Sequence, residues 1–392
     1  MPAPLPPLSL YVHLPWCVRK CPYCDFNSHA LRGELEEDAY VDALLRDLAH
    51  AATLAGGREV RTIFIGGGTP SLFHPSSIAR LLAGIGDRVP LAAAAEITLE
   101  ANPGTVELDR FRGFREAGVN RLSIGIQSFE EGKLRALGRI HGPEEARRAA
   151  EAAGAAGFRN LNLDLMYGLP GQTAGQALAD IEIALAYGPA HLSAYQLTLE
   201  PHTYFHAHPP PLPDDEAVAS MHQAIEERLR DAGYRHYEVS AYARHGSECR
   251  HNLNYWEFGD YLGIGAGAHA KITGAGGTWR YANARHPAAY MRHAGTDAAR
   301  ASTQRLEEPD LVFEFMLNAL RLHAGFAPAL FEERTGLPFD RLDRGLETGR
   351  RRGLIEPGTD RVVPSELGRR FLNDLLLAFV PDRSSPAATA VI

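Results

Sequence analysis

The stretch Ser9–His29, SLYVHLPWCVRKCPYCDFNSH, decides how the rest of the chain reads. It opens as a short apolar strand closed by Pro15. Cys17, Cys21 and Cys24 follow at once, and the only other cysteine in the chain is Cys249. Three thiols are one too few for a closed structural zinc site, which usually draws its ligands as two spaced pairs. They also sit too close together for a disulfide scaffold. At CxxxCxxC spacing, however, three thiolates wrap three corners of a [4Fe–4S] cube and leave one iron open to a ligand. Zinc is the alternative, with Asp25, His29 or the distant Cys249 completing a tetrahedron.

Outward from this loop, apolar runs begin at Thr62 (TIFIGGG), Glu96 (EITLEANP), Arg121 (RLSIGIQS), Asn160 (NLNLDLMYGLP) and His191 (HLSAYQLTLEP). Helical patterns separate them, among them EEDAYVDALLRDLAHAA and TAGQALADIEIALAY. Strand alternating with helix predicts parallel strands joined by crossover helices. Six such units predict an α/β fold built on a partial (β/α)6 barrel; a doubly wound open sheet is the alternative. In such barrels chemistry gathers at the C-terminal ends of the strands. Glu100, Gln127 and Asp164 interrupt apolar strands there, whereas Asn102 and Ser128 are explained as ordinary strand ends.

Beyond the barrel, PPPLP at 209–213 reads as an extended connector. Three regions are expected: a core barrel over 1–233, a mixed extension over 234–305 that carries HNLNYW (His251–Trp256), and a helical, winged-helix-like domain over 306–392. The winged-helix order is common as a packing unit, so DNA binding does not follow from it. His202, His206 and His208 resemble a metal cluster but read better as a solvent-facing loop.

Composition sets the outer bounds. With 392 residues, 45% hydrophobic, 22% charged and a net charge of -8, the chain has ordinary globular composition and no surface suited to coating nucleic acid. No apolar run is long enough to span a bilayer. The opening MPAPLPPLSL lacks the features of a signal peptide and reads as a flexible lead-in. A cytoplasmic location, with the thiols kept reduced for metal or redox chemistry, is expected.

CxxxCxxC after the first strand, Tyr23 before the last cysteine and the GGGTP turn after the second strand together resemble the radical S-adenosylmethionine (SAM) superfamily. Within it the chain is similar, over nearly its whole length, to the oxygen-independent coproporphyrinogen III oxidase (dehydrogenase) group. That resemblance implies a [4Fe–4S] cluster on Cys17, Cys21 and Cys24. It implies SAM held by Tyr11, Gly67, Gly68, Thr69, Glu100, Gln127, Arg139 and Asp164. The chemistry suits these roles: carboxylates accept from an ammonium or from ribose hydroxyls, and arginine pairs with a carboxylate.

Two features depart from the dehydrogenase. Its pattern continues to a fourth cysteine, CxxxCxxCxC, where this chain has Phe26. It also has a segment before the cysteines, where this chain reaches Tyr11 almost at once. Both departures, and HNLNYW, resemble the heme-chaperone subgroup, HemW. That resemblance implies heme as a further cofactor, with His251 as its ligand and Tyr255 and Trp256 flanking the porphyrin. It implies heme-accepting proteins and an electron donor for the cluster as partners, and it admits peripheral membrane contact without a membrane span. Read from the residues alone, His251 instead satisfies backbone groups while the aromatics fill core. The competing functions are tetrapyrrole decarboxylation by SAM cleavage and, least favoured, a nucleic-acid-binding redox sensor.

Overall fold

A computed structural model describes residues 5–104, 108–358 and 360–381. Part of the lead-in and the end of the expected C-terminal domain lie outside the described residues. Six parallel strands form the centre: β1 (Leu8–Leu14), β2 (Val60–Gly67), β3 (Leu91–Ala101), β4 (Arg121–Gln127), β5 (Asn160–Tyr167) and β6 (His191–Gln196). Among the described residues they stand in the sheet in chain order, without the reversal that a doubly wound sheet requires. Right-handed crossovers in an unreversed order put every helix on one face and leave the other face for a site. The crossovers are α1 (Glu37–Ala55), α2 (Pro75–Gly86), α3 (Leu108–Glu116), α4 (Glu131–Ala136) with α5 (Pro143–Ala155), and α6 (Ala174–Ala186). Local sequence fixes their ends. Gly56 stops α1 in the left-handed conformation, and Thr173 with Gln176 forms a capping box at the start of α6.

The strands are buried on both faces. Leu10, Val12, Leu14, Ile63, Ile65, Leu122, Ile124 and Leu163 pack with Tyr40, Leu44 and Ile78 of the helices into one core. The array is extended at both edges. YRHYEVSAYA, apolar enough to read as one strand, is a hairpin of β7 (Arg235–Glu238) and β8 (Ala241–Ala243) on β6. The break has a local cause: the Glu238 carboxylate accepts from both the N–H and the hydroxyl of Ser240 and holds a turn. At the other edge β9 (Asp260–Ile264) runs parallel to β1, and β10 (His269–Gly274), β11 (Gly277–Asn283) and β12 (Arg300–Arg305) continue antiparallel.

Between these edges α7 (Asp215–Asp231) packs on α6, and HNLNYW together with Arg250 forms a seven-residue helix, α8 (Arg250–Trp256). After Leu306 a second core gathers around Phe315, Phe326, Phe331, Leu346 and Leu375. It is built from α9 (Glu308–Ala319), α10 (Pro328–Thr335), α11 (Asp343–Arg351), the bridges Phe326–Val362 and Ile355–Pro364, and short helices over 366–376. Along the chain these elements run helix, helix, helix, hairpin, helix. Phe258, just after α8, joins this second core, and the Arg280 guanidinium grips Glu314 of α9. No helix among the described residues is long and apolar enough to cross a membrane.

Candidate functional site

At the C-terminal ends of β2–β5 lies a pocket of about 170 Å³, lined by Cys17, Cys21, Cys24, Gly67, Gly68, Thr69, Glu100, Gln127, Arg139 and Asp164. Residues as far apart in sequence as Cys17 and Asp164 meet there because each follows or ends a strand of one parallel array. The cysteine loop is fastened on both sides. Trp16–Cys17 pairs with His29–Ala30. The Asn27 amide donates to the carbonyls of Ala266 (2.9 Å) and Arg285 (2.8 Å), which ties the loop to the extension.

The turn after β2 needs its glycines. Gly67 has φ +111°, and a Cβ there would fall 2.5 Å from the His13 ring. A Cβ on Gly68 would fall 2.5 Å from the Trp16 carbonyl oxygen. The N–H groups of the turn are already committed: Gly67 to Glu100 (3.1 Å), Gly68 to Leu14 (2.8 Å) and Thr69 to Trp16 (2.8 Å). The turn therefore offers a ligand carbonyl oxygens, which suit a donor such as an ammonium group.

Arg139 organises the other wall. Its guanidinium donates to Asn102 Oδ1 (2.6 Å) and to the Gly125 carbonyl (2.7 Å), and it lies 3.7 Å from Cys21 Sγ. Asn102 in turn donates to Thr69 Oγ1 (2.8 Å). Asn102 thus connects the arginine to the glycine turn, a role its strand-end reading did not give it. The one hint in the sequence was spacing: Asn102 comes two residues after Glu100, just past the end of β3. Gln127 ends β4 at φ 67°, a left-handed conformation uncommon for a residue with a side chain. The ladder to β5 slips at that point, turning Gln127 into the pocket.

Burial governs the electrostatics. It pushes the Cys17 and Cys24 thiols up, against hydrogen bonds from Thr69 and Ser28. It pushes Glu100 up to about 7, with Asp164 adding like charge. Asp164 is also raised by burial, opposed by hydrogen bonds from Asn162 (2.8 Å) and Ser123 (3.0 Å). Neither carboxyl forms a salt bridge among the described residues. A pocket with three thiols at one end and two cation-hungry carboxyls at the other fits an iron–sulfur cluster beside a cationic ligand. Among the described residues no three His, Cys, Asp or Glu side chains converge tightly enough to hold a single metal ion. The thiols line a wall instead of closing on a point. Asp25, His29 and Cys249, the fourth ligands that zinc would need, do not line this pocket.

Tyr11 lies outside it as well. Its hydroxyl meets His13 Nδ1 at 3.0 Å, and its ring lines a second cavity that shares Gly67, Glu100 and Phe26 with the first. HNLNYW divides between two places. Tyr255 and Trp256 line the second cavity, whereas His251 is buried behind Tyr255, against Thr62 and Phe64 near the start of the strands. Its Nδ1 meets Thr62 Oγ1 at 2.8 Å and its Nε2 the Tyr255 hydroxyl at 3.0 Å. Because Thr62 gives its own hydrogen to Ser9, His251 sits as a neutral ring with both nitrogens engaged. Burial lowers its pKa to about 3. Cys249 lies nearby on Glu96, with its thiol pushed up by burial to about 11. His206 and His208 are exposed, one on a backbone carbonyl and one stacked on Tyr204.

Comparison with known proteins places these features. Residues 11–183 match the Radical SAM superfamily, and residues 306–371 match the HemN C-terminal domain. The Escherichia coli protein named heme chaperone HemW is 51% identical over 379 residues, covering 96% of this chain and 99% of its own. Its namesake in Bacillus subtilis is 34% identical, covering 95% and 99%. A mouse mitochondrial radical S-adenosyl methionine domain-containing protein 1 is 42% identical over 70% of this chain and 63% of its own. Among solved structures, E. coli coproporphyrinogen III oxidase (HemN), described as a radical SAM enzyme, superposes with a TM-score of 0.81 at 26% identity, covering 96% of this chain and 90% of its own.

Proposed function

Because this chain belongs to the heme chaperone HemW family of the radical SAM superfamily, we propose that it binds heme beside a [4Fe–4S] cluster and SAM and delivers the heme to acceptor proteins. The observation that carries this reading is Phe26. It stands where the dehydrogenase pattern has its fourth cysteine, and its ring is 59% exposed on the wall shared by the two cavities. An exposed phenyl gives the second cavity an apolar contact surface in place of a reactive thiol.

In this proposal Cys17, Cys21 and Cys24 hold three irons of the cluster. When bound, the cluster would offer its open iron to the amino and carboxylate groups of SAM and could supply an electron. Arg139 steadies the Cys21 thiolate by charge and keeps Asn102 and Thr69 in register. Glu100 and the carbonyls of the glycine turn accept from the ligand ammonium, Asp164 and Gln127 take the ribose side, and Tyr11 stands in the adjoining second cavity beside Gly67 and Glu100. An electron donor for the cluster and acceptor proteins complete the set of partners, with no nucleic acid. We place the chain in the cytoplasm, where thiols stay reduced. The proposed division is 1–233, 234–305 and 306–392; the second core that gathers after Leu306 supports its last boundary. His251, a residue of α8, enters as a support behind Tyr255 and not as part of the cavity wall.

The alternative is a catalyst of coproporphyrinogen III decarboxylation, and the intact SAM constellation favours it. Anaerobic reconstitution followed by parallel heme titration and SAM-cleavage assay separates the two. Stoichiometric heme uptake without vinyl products supports the chaperone; catalytic vinyl formation without heme uptake supports the dehydrogenase.

A further inference from the structure

We infer that the carried heme sits in the second cavity, with His269 as the axial ligand to its iron and Arg285 paired to a propionate. The inference rests on the chaperone reading above and names the place of its cargo.

The cavity measures about 840 Å³, inside the range of roughly 300–1,000 Å³ for small-molecule sites. It opens between the extended edge of the sheet and α9, which contributes Asn318. Its walls are aromatic: Phe26, Tyr255, Trp256 and Tyr261. Flat rings of this kind suit a large planar ligand. Phe26 in particular is a solvent-exposed phenyl that such a ligand would cover.

The polar groups then select themselves by what they already hold. Lys271 is committed to Asp260 (3.0 Å) and to the Phe258 carbonyl (3.1 Å). Arg280 is committed to Glu314 and to the Tyr261 hydroxyl (2.9 Å). The Arg285 guanidinium is exposed and makes no hydrogen bond or ion pair among the described residues. It is the cation left to meet a carboxylate.

The same accounting singles out one imidazole. His13 is held at both nitrogens, by Tyr11 (3.0 Å) and by the Asn27 carbonyl (2.9 Å). His251 is held at both nitrogens and lines neither cavity. His269, the first residue of β10, lines the cavity and makes no side-chain hydrogen bond among the described residues. Burial lowers its pKa, and Arg280 and Arg285 add to that effect. It therefore presents a neutral imidazole with free nitrogens, the form that ligates heme iron. Because Gly67 and Glu100 belong to both cavities, a heme held here abuts the proposed SAM site.

The test uses the full chain, reconstituted anaerobically with iron and sulfide and titrated with ferric heme. Iron and sulfide content and the thermal midpoint report folding in each variant. The wild type is expected to show the resonance Raman signature of imidazole-ligated iron. His269→Ala is expected to lose that signature and to bind at least about tenfold more weakly, and added imidazole should restore the signature. His269→Cys should shift it to thiolate ligation. Arg285→Glu should weaken binding and keep imidazole ligation. If folded His269→Ala and His269→Cys match the wild type in signature and affinity, the inference is wrong while the chaperone reading stands. If His251→Ala alone abolishes imidazole ligation in folded protein, the inference is equally overturned. If the wild type takes up no heme, the chaperone reading falls and the inference with it.

Discussion

Glu100→Gln should make the ligand-free chain more stable while impairing the site it serves. The Glu100 carboxyl is raised from the ordinary 4.5 to about 7, first by burial and then by Asp164. Between those pH values the folded chain holds a proton that the unfolded chain releases, so stability falls as pH rises from 4.5 and the full penalty stands above 7. At about 1.4 kcal/mol per pH unit the ceiling is about 3 kcal/mol. The side chain is only half-buried on the pocket wall, and water screening brings the expectation to about 1–3 kcal/mol. Glutamine keeps the shape and carries no charge. Denaturant unfolding should therefore find the variant level with the wild type near pH 4.5 and more stable by about 1–3 kcal/mol near pH 8. SAM binding, measured by equilibrium titration on reconstituted protein, should weaken by about 10–100-fold, the loss expected for a charged hydrogen bond. Wild-type affinity for SAM should itself rise with pH up to about 7, because the ammonium needs the ionised carboxylate. A variant that is less stable near pH 8, or that binds SAM unchanged, would refute the reasoning.

Three further expectations rest on single residues. Gly67→Ala drives a Cβ to within 2.5 Å of the His13 ring at φ +111°, so it should cost about 2–4 kcal/mol in unfolding experiments and reduce the iron bound per chain. Gln127→Gly relieves a left-handed backbone and should gain up to about 1 kcal/mol of stability, with weaker SAM binding in the same preparation. His251→Ala removes the link between Thr62 and Tyr255 and should lower stability by about 2–3 kcal/mol; the heme bound per folded chain, read by pyridine hemochrome, should not change.

Much of the site was legible because its chemistry is local. Cys17, Cys21 and Cys24 lie in one loop, Gly67–Thr69 in one turn, and Glu100, Gln127 and Asp164 break apolar strands at equivalent ends. A parallel array gathers strand ends on one rim, so placing these residues on strands was enough to bring them together. Asn102 was passed over because polar residues at strand ends need no explanation; only the Arg139–Asn102–Thr69 chain shows what it does. HNLNYW was read as one unit, and its residues do stay together: Tyr255 and Trp256 reach the cavity, while His251, one helical turn before Tyr255, is buried behind it. The second cavity was not legible at all. His269, Arg285 and Asn318 face it from the start of a strand, the segment after β11 and a C-terminal helix, and no spacing in the sequence announces that meeting.

In the proposed function this radical SAM fold carries heme and does not oxidise a tetrapyrrole. Its most direct test is a single anaerobic preparation with the cluster reconstituted, divided between a ferric heme titration and an incubation with coproporphyrinogen III, SAM and a reductant. The account predicts saturable uptake of heme and no vinyl-bearing product. Catalytic formation of vinyl product, with heme left unbound, would contradict it.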